Sequence, residues 1–143
     1  MGVTTGVVLD TAVLIGAERG TFDMAGYLAA LGDAPVALAA ISASELLHGV
    51  ERARDPGVRR GRSAFVEGVL ANIPVIPFAL DEARVHARIW AALAAAGTLI
   101  GPHDLQVAAT ALAAGSAVAT LNRDEFGRVP GLELAPTAPF VRA

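Results

Sequence analysis

The stretch that decides the fold is Gly6-Val7-Val8-Leu9-Asp10-Thr11, a short apolar run that ends in a carboxylate. Strands of a parallel sheet covered by helices on both faces are continuously hydrophobic, and Val7 to Leu9 fit that pattern. Asp10 then lies just past the carboxyl end of the strand, at the edge where open α/β sheets bind ligands. Asp is also a favoured N-cap residue, so Asp10 has a purely structural explanation as the start of a helix at Thr11.

Apolar runs and helical patterns alternate along the rest of the chain. Further strands are predicted at 36–41, 74–78 and 117–120, and a short last strand can be added at 132–134. Helices are predicted at 11–17, 21–31, 42–54, 58–73, 81–96 and 102–115. This alternation predicts a three-layer α/β/α sandwich with a central, mostly parallel sheet. The length and the absence of a linker or repeat predict a single domain over 1–143.

The composition narrows the function classes. The hydrophobic fraction of 54% favours a homo-oligomer or a protein partner, because one small core cannot bury so much apolar surface. The net charge of −3 argues against binding nucleic acid through bulk charge, although a local site with metal ions stays open. The chain has no cysteine, which excludes disulfides and thiolate zinc sites.

Targeting signals are also missing from the sequence. The longest uncharged run, 105–122, is broken by polar residues and falls short of a membrane span of ~20 apolar residues. No basic residue precedes an apolar core near the amino terminus, so no secretory signal is predicted. We therefore expect a cytoplasmic protein without a membrane segment.

Acidic residues recur at the junctions between predicted strands and helices. Glu45 lies in the first turn of the helix predicted at 42–54, Asp104 lies in the first turn of the helix at 102–115, and Asp124 and Glu125 follow the fourth strand. Each has a structural explanation. Ser42 and Glu45 match a capping box, a helix dipole favours Asp104, and the last two fit a solvated turn.

Taken together with Asp10, these acids point to a shared site. The ends of parallel strands lie side by side, and carboxylates gathered there repel one another unless protons or cations neutralise them. Oxygen ligands without cysteine or paired histidines suit Mg²⁺ or Mn²⁺. Such a site activates water and stabilises charge on a phosphodiester. The pattern therefore predicts a metal-dependent nuclease.

Four motifs also carry a family resemblance, in order and at the expected spacing: Val8-Leu9-Asp10-Thr11, Ser42-x-x-Glu45-Leu46, Ile100-Gly101-Pro102-His103-Asp104 and Thr120-x-Asn122-x-x-x-Phe126. The chain resembles PIN-domain proteins over essentially its whole length, and among them the VapC toxins of toxin–antitoxin pairs. Its ending, Arg128-Val129-Pro130-Gly131-Leu132, is similar to theirs as well.

The resemblance implies a ribonuclease that cleaves structured cellular RNA with Mg²⁺ or Mn²⁺. It also implies a homodimer that a cognate antitoxin protein inhibits. By match, Asp10 and Asp104 are the principal metal ligands, and Glu45 completes the metal shell or orients a water. Relatives carry Asp or Asn where this chain has Asn122, which implies that Asn122 orients a ligand or water.

Two neighbouring residues are candidates for the fourth acid. Asp124 and Glu125 follow Asn122 at two and three positions. We expect Asp124 to be the fourth acid, with Glu125 as the close second.

Other residues invite a functional interpretation. His103 adjoins Asp104 but points about 100° away on a helix, so an exposed or helix-packed histidine is expected. Trp90 is expected in the core or at a dimer contact. The sequence has one basic cluster, which is either a solvated helix face or a rim that contacts RNA phosphates: Arg52, Arg54, Arg59, Arg60 and Arg62.

Two other function classes remain open. A small-molecule phosphotransfer enzyme could use Asp10 as a nucleophile, although no second Asp follows two residues later and no Gly-rich phosphate loop is present. A non-catalytic module could keep the fold and act only by binding a protein. Trapped phospho-aspartate would favour the former, and a lack of Mn²⁺ binding would favour the latter.

Overall fold

The sheet at the centre of the molecule is parallel throughout. In the computed structural model, which describes residues 6–143, its four strands lie in the order β3-β2-β1-β4. Each pairing between neighbouring strands is parallel. The strands are β1 (Val7–Leu9), β2 (Val36–Ala39), β3 (Val75–Ile76) and β4 (Ala117–Ala119). The first five residues, which bear on the expected lack of a secretory signal, lie outside the described residues.

Helices cover both faces of this sheet. Within the described range they are α1 (Thr11–Arg19), α2 (Met24–Leu31), α3 (Ala40–Arg52), α4 (Pro56–Asn72), α5 (Leu80–Ala96), α6 (Pro102–Ala113) and α7 (Arg123–Phe126), and a 3-10 turn covers Ala138–Phe140. None of the described helices combines the length and apolar character that a membrane span requires.

Alternate residues of β1 face two separate cores. Val7 and Leu9 belong to the core under α1, α2 and α4, whereas Val8 belongs to the core under α5 and α6. Val8 and Leu9 have no exposed surface. Burial on both faces explains why β1 has no polar alternation. The predicted three-layer sandwich is therefore confirmed.

Several predicted boundaries differ from the observed ones. β2 ends at Ala39, and α3 begins at Ala40, two residues before Ser42. α2 begins at Met24 rather than at 21, because the Asp23 side chain caps it. The candidate strand at 132–134 is reduced to a single parallel bridge between Val118 and Leu134. The four-residue helix α7 was not predicted.

The register of β1 and β4 brings distant polar residues together. Leu9 pairs with Ala119, so that Asp10 and Thr120 are the next residues on two neighbouring strands. The Asp10 backbone N–H extends the pairing by donating to Ala119 O at 2.9 Å. The carboxyl edge of the sheet therefore fixes where the Asp10 side chain begins.

Candidate functional site

Asp10 is both a helix cap and the buried centre of an acidic cluster. It is the N-cap residue of α1, and its Oδ1 accepts a hydrogen bond from the Thr11 backbone N–H at 2.9 Å. Its Oδ2 accepts another from Thr120 Oγ1 at 2.8 Å, although only 5% of the residue is exposed. Burial raises the pKa of Asp10, and the charges of Glu45 and Glu125 act in the same direction, while the two hydrogen bonds oppose the rise.

These two hydrogen bonds hold the Asp10 carboxylate in one orientation. Each of its oxygens has a second lone pair, so both can still contact a cation.

Glu45 lies on α3 and is directed to the same edge. Its Oε1 accepts a hydrogen bond from Thr11 Oγ1 at 2.8 Å, and its Oε2 lies 3.2 Å from His103 Nδ1. The capping-box explanation of Glu45 is wrong, because α3 begins at Ala40 and no side chain caps it. Ser42 is instead fully buried inside the helix. Glu45 is thus free of a capping role.

Asp104 has a pKa raised to about 7. It is half-buried in the first turn of α6, and burial is the largest cause of the shift. The charge of Asp10, a hydrogen bond to Glu125 and the charges of Glu125 and Glu45 raise it further. The four carboxyl groups of Asp10, Glu45, Asp104 and Glu125 therefore share one electrostatic environment.

The fourth acid of this cluster is Glu125 rather than the expected Asp124. Glu125 Oε1 accepts a hydrogen bond from the Gly101 N–H at 3.1 Å, and Oε2 accepts one from Asn122 Nδ2. These two bonds are the main causes that lower the pKa of Glu125. Asp124 is exposed, and within residues 6–143 it makes no side-chain hydrogen bond or ion pair. The structure therefore reverses the order in which the sequence ranked the two acids.

The unpredicted helix α7 explains this reversal. Phe126 is fully buried and anchors the turn. Consecutive helical residues point about 100° apart, and in α7 this difference directs Glu125 to the cluster and leaves Asp124 exposed. Asn122 stands just before the turn, and its side-chain amide donates a hydrogen bond to Glu125. Its expected role of orienting a ligand or water stays a prediction.

The donor set of the cluster fits a hard divalent cation. Its four acids offer carboxylate oxygens, which Mg²⁺ and Mn²⁺ prefer, and the charges repel one another. In the described part of the chain, no three Asp, Glu or His side chains converge closely enough to coordinate an ion as they stand. Hydrogen bonds from Thr11, Thr120, the Gly101 N–H and Asn122 hold three of the four carboxylates, those of Asp10, Glu45 and Glu125, at this edge of the sheet.

Sequence reasoning missed three side chains that touch the cluster. Thr11 and Thr120 donate to Glu45 and Asp10, and both positions stand in the quoted motifs without an assigned role. His103 has the expected exposed side chain, but its contact with Glu45 was not foreseen. Adjacency to a predicted acid was the available signal for Thr11 and His103, whereas the contact of Thr120 depends on the pairing of β1 with β4.

The arginine cluster divides into separate environments. Arg59 pairs with Glu51 at 3.1 Å, and Arg60 lies with it on an outer concavity of α4. Arg52 and Arg62 instead line a cavity of about 80 Å³ that Glu45 also lines.

The aromatic side chains on α5 lie outside the core. Trp90 is 54% exposed, which excludes the core position and leaves the dimer contact as a prediction. Its ring contacts His86 edge-on, and His86 contacts Phe78 in the same way.

Comparison with known proteins identifies relatives over most of the chain. The model of the PIN domain family matches residues 7–132. Ribonuclease VapC1 of Rickettsia felis is 35% identical over 129 residues, which cover 90% of this chain and 94% of the relative. Ribonuclease VapC of Rickettsia bellii is 36% identical over 132 residues with the same coverage. The tRNA(fMet)-specific endonuclease VapC of Salmonella typhimurium is 32% identical over 73% of this chain and 76% of the relative.

Solved structures share the fold. DNA-bound VapBC from Salmonella typhimurium superposes with a TM-score of 0.81 and 28% identity, covering 92% of this chain and 97% of that chain. VapBC-5 from Mycobacterium tuberculosis superposes with a TM-score of 0.72 and 28% identity, covering 97% of this chain and 99% of that chain. VapBC2 from Rickettsia felis, bound to a promoter DNA fragment, superposes with a TM-score of 0.82 and covers 90% of this chain and 96% of that chain. At 24% identity, this likeness supports the fold alone.

Proposed function

The chain belongs to the PIN domain family, with VapC ribonucleases as its relatives, and we propose that it is the endoribonuclease toxin of a toxin–antitoxin pair. It hydrolyses RNA phosphodiester bonds with the help of Mg²⁺ or Mn²⁺. The relatives support the ribonuclease class, and this chain's own acidic cluster supports the metal dependence.

The observation that carries the metal proposal is that four carboxyl groups, those of Asp10, Glu45, Asp104 and Glu125, gather at the carboxyl edge of the sheet. Burial raises the pKa of Asp104 to about 7, and the charges of the other three acids add to that rise. Clusters of this kind are typical of sites whose charge is balanced by a ligand. Asp10 and Asp104 would hold the cation, with Glu45 and Glu125 beside them. Bound there, a divalent cation supplies the positive charge that activates water and stabilises charge on the phosphate.

The chain's own residues keep the carboxylates in position. Thr120 holds Oδ2 of Asp10, and Thr11 holds Oε1 of Glu45. Asn122 and the Gly101 N–H hold Glu125 in its ionised form, because hydrogen bonds to a carboxylate favour the charged state. Hydrolysis by water needs no nucleophilic side chain, which agrees with the absence of cysteine from the sequence.

The proposal includes two protein partners, a cognate antitoxin and a second copy of this chain. Several structural neighbours are VapBC complexes, which supports a cognate antitoxin as partner. The proposed homodimer is supported by exposed apolar side chains on and near α5, where Leu80 is 63% and Trp90 54% exposed.

Cleavage of cellular RNA by the purified protein tests the proposal. We expect cleavage with Mg²⁺ or Mn²⁺, none in EDTA, and none from Asp10→Asn or Asp104→Asn. Asp33→Asn is the matched control, because Asp33 is exposed and far from the acidic positions in sequence. Cleavage that persists in EDTA, or that survives both substitutions, would overturn the nuclease mechanism.

A non-catalytic binding module is the second candidate. It is favoured by the finding that no three acidic or histidine side chains among residues 6–143 converge on one ion position. Calorimetry separates the two: Mn²⁺ binding near neutral pH that Asp104→Asn abolishes supports the enzyme, and no binding supports the module.

A further inference from the structure

A small cavity opens beside the acidic cluster, between α1, α3 and α4. We call it the arginine cavity, because Arg19, Arg52 and Arg62 line it together with Glu18 and Glu45. Its volume is about 80 Å³, and its mouth is open.

The helix α3 connects this cavity to the cluster. Glu45, Gly49 and Arg52 follow one another at spacings of four and three residues, so they share one face of α3. Seven residues of helix place Arg52 roughly 10 Å along the axis from Glu45. The cavity therefore adjoins the acidic cluster at Glu45 and extends away from it towards Arg52.

The charges in the cavity are not balanced by one another. Arg62 Nε lies 3.9 Å from Glu18 Oε2, and Arg62 Nη1 donates to Gly49 O at 3.0 Å. Glu45 is engaged by Thr11 and His103. Arg19 and Arg52 form no side-chain hydrogen bond or ion pair with the described residues. Three arginines and two glutamates line the cavity, which leaves one positive charge in excess for an anion.

An RNA substrate requires such a site. The chain has a net charge of −3 and no lysine, and its reacting centre is acidic, so the protein as a whole repels a phosphate backbone. Binding then depends on local cations, and the guanidinium fork matches a phosphate.

We propose that the arginine cavity binds a backbone phosphate of the RNA, next to the phosphodiester that is cut, through Arg52 and Arg19. This inference rests on the proposed RNA substrate. It assigns Arg19, which the sequence did not suggest, to the RNA surface, and it leaves Arg59 and Arg60 outside the site.

A structural role for the same arginines makes a different prediction. Arg19 and Arg52 each lie in the last turn of a helix, where a cation also offsets the helix dipole. Loss of that role lowers the melting temperature and leaves RNA binding unchanged. Loss of a phosphate contact instead weakens RNA binding and leaves the melting temperature unchanged.

Fluorescence anisotropy with a labelled single-stranded RNA separates these roles. All proteins carry Asp10→Asn, so that the RNA stays intact, and binding is measured in Mg²⁺ over a range of salt concentrations. Arg52→Gln should bind about tenfold more weakly, equal to about 1.4 kcal/mol, as expected for one charge-assisted contact. The slope of log K against log salt should fall by about 0.7 for each of Arg52→Gln and Arg19→Gln.

Arg60→Gln is the matched control, because it removes the same charge from the same surface outside the cavity. It should leave the salt slope unchanged. Equal losses from Arg60→Gln and Arg52→Gln would overturn the proposal in favour of a diffuse basic rim. Unchanged RNA binding by Arg52→Gln and Arg19→Gln would also overturn the proposal. If these variants then bind the antitoxin more weakly, the cavity is a contact site for the protein partner. If they instead have a lower melting temperature, the two arginines act by offsetting the helix dipole.

The nuclease proposal can fail separately. If wild-type protein cuts no RNA but Arg52→Gln still weakens binding, the arginine cavity stands and the nuclease mechanism does not. If RNA is cut and Arg52→Gln binds normally, the cavity proposal is wrong and the nuclease stands.

Discussion

Acidic residues begin helices in two parts of this molecule, with different consequences. Asp23 and Asp55 are the N-cap residues of α2 and α4. Each side chain accepts a hydrogen bond from the backbone N–H of the residue three positions later in the chain, at 3.0 and 2.9 Å. Asp10 and Asp104 stand at the beginnings of α1 and α6, where their surroundings raise both pKa values.

The difference lies in the sheet rather than in the helices. α1 and α6 begin where the carboxyl ends of β1 and β4 meet, so their acids face other acids. Asp23 instead meets a cation, since Arg142 Nη2 lies 2.7 Å from its Oδ2. A helix start explains one acid at a time, whereas repulsion among several acids indicates a site for a ligand.

Glu125 and Asp124 give the sharpest test of this comparison, because they are adjacent residues of α7. Glu125→Gln should lower kcat/KM for RNA cleavage about a hundredfold, equal to about 2.7 kcal/mol. Asp124→Asn should change kcat/KM less than about twofold, since Asp124 is exposed and makes no contact with the cluster among the described residues. Single-turnover assays at saturating Mn²⁺ measure both. A larger loss from Asp124→Asn would restore the order that the sequence suggested.

Asp104 should make the folded protein less stable as the pH rises. Its folded pKa of about 7 exceeds the ordinary value of 3.8, so the folded state binds this proton more tightly than the unfolded state does. The stabilisation is complete below about pH 4 and is lost as the pH rises towards 7.

Asp104→Asn mimics the protonated form and measures this effect. Above pH 7 its free energy of unfolding should exceed that of wild type by about 2 kcal/mol, a value reduced because Asp104 is partly exposed and screened by solvent. This difference in free energy of unfolding between Asp104→Asn and wild type should disappear as the pH falls towards 4. Mn²⁺ should raise the melting temperature of wild type more at pH 8 than at pH 5, because the ion requires deprotonated ligands. Equal stability of the two proteins at pH 8 would contradict the repulsion in the cluster.

Thr120 should act by positioning Asp10. Thr120→Val removes the hydroxyl that donates to Asp10 Oδ2 but keeps the shape of the side chain. Loss of such a supporting bond should weaken Mn²⁺ binding about tenfold. Thr120→Ser, which keeps the hydroxyl, should bind Mn²⁺ as tightly as wild type does. If Thr120→Ser is as defective as Thr120→Val, packing rather than the hydrogen bond is responsible.

Much of this arrangement follows from local sequence patterns. The apolar run at β1 and the alternation after it predict the sheet, and the sheet edge predicts that Asp10, Glu45 and Asp104 lie together. The capping box at Ser42 fails because β2 ends at Ala39, and hydrophobic runs do not mark where a strand turns into a buried helix.

The remaining features depend on contacts between distant segments. Glu125 outranks Asp124 because of the orientation of a four-residue helix, which is too short to show periodicity. Arg19 joins Arg52 only through the packing of α1 near α3, and Thr120 meets Asp10 only through strand pairing. No local pattern encodes these contacts.

The capping acids should show the smallest effect, on stability alone. Asp55 Oδ2 accepts the Val58 N–H at 2.9 Å at the start of α4, and the residue is exposed. Asp55→Ala should therefore lower the free energy of unfolding by about 1 kcal/mol, and Asp55→Asn, which can still accept the bond, should lose less. RNA cleavage per folded molecule should be unchanged in both. A loss of cleavage in Asp55→Ala at full folding would extend the functional acids beyond the sheet edge and remove the distinction between caps and cluster.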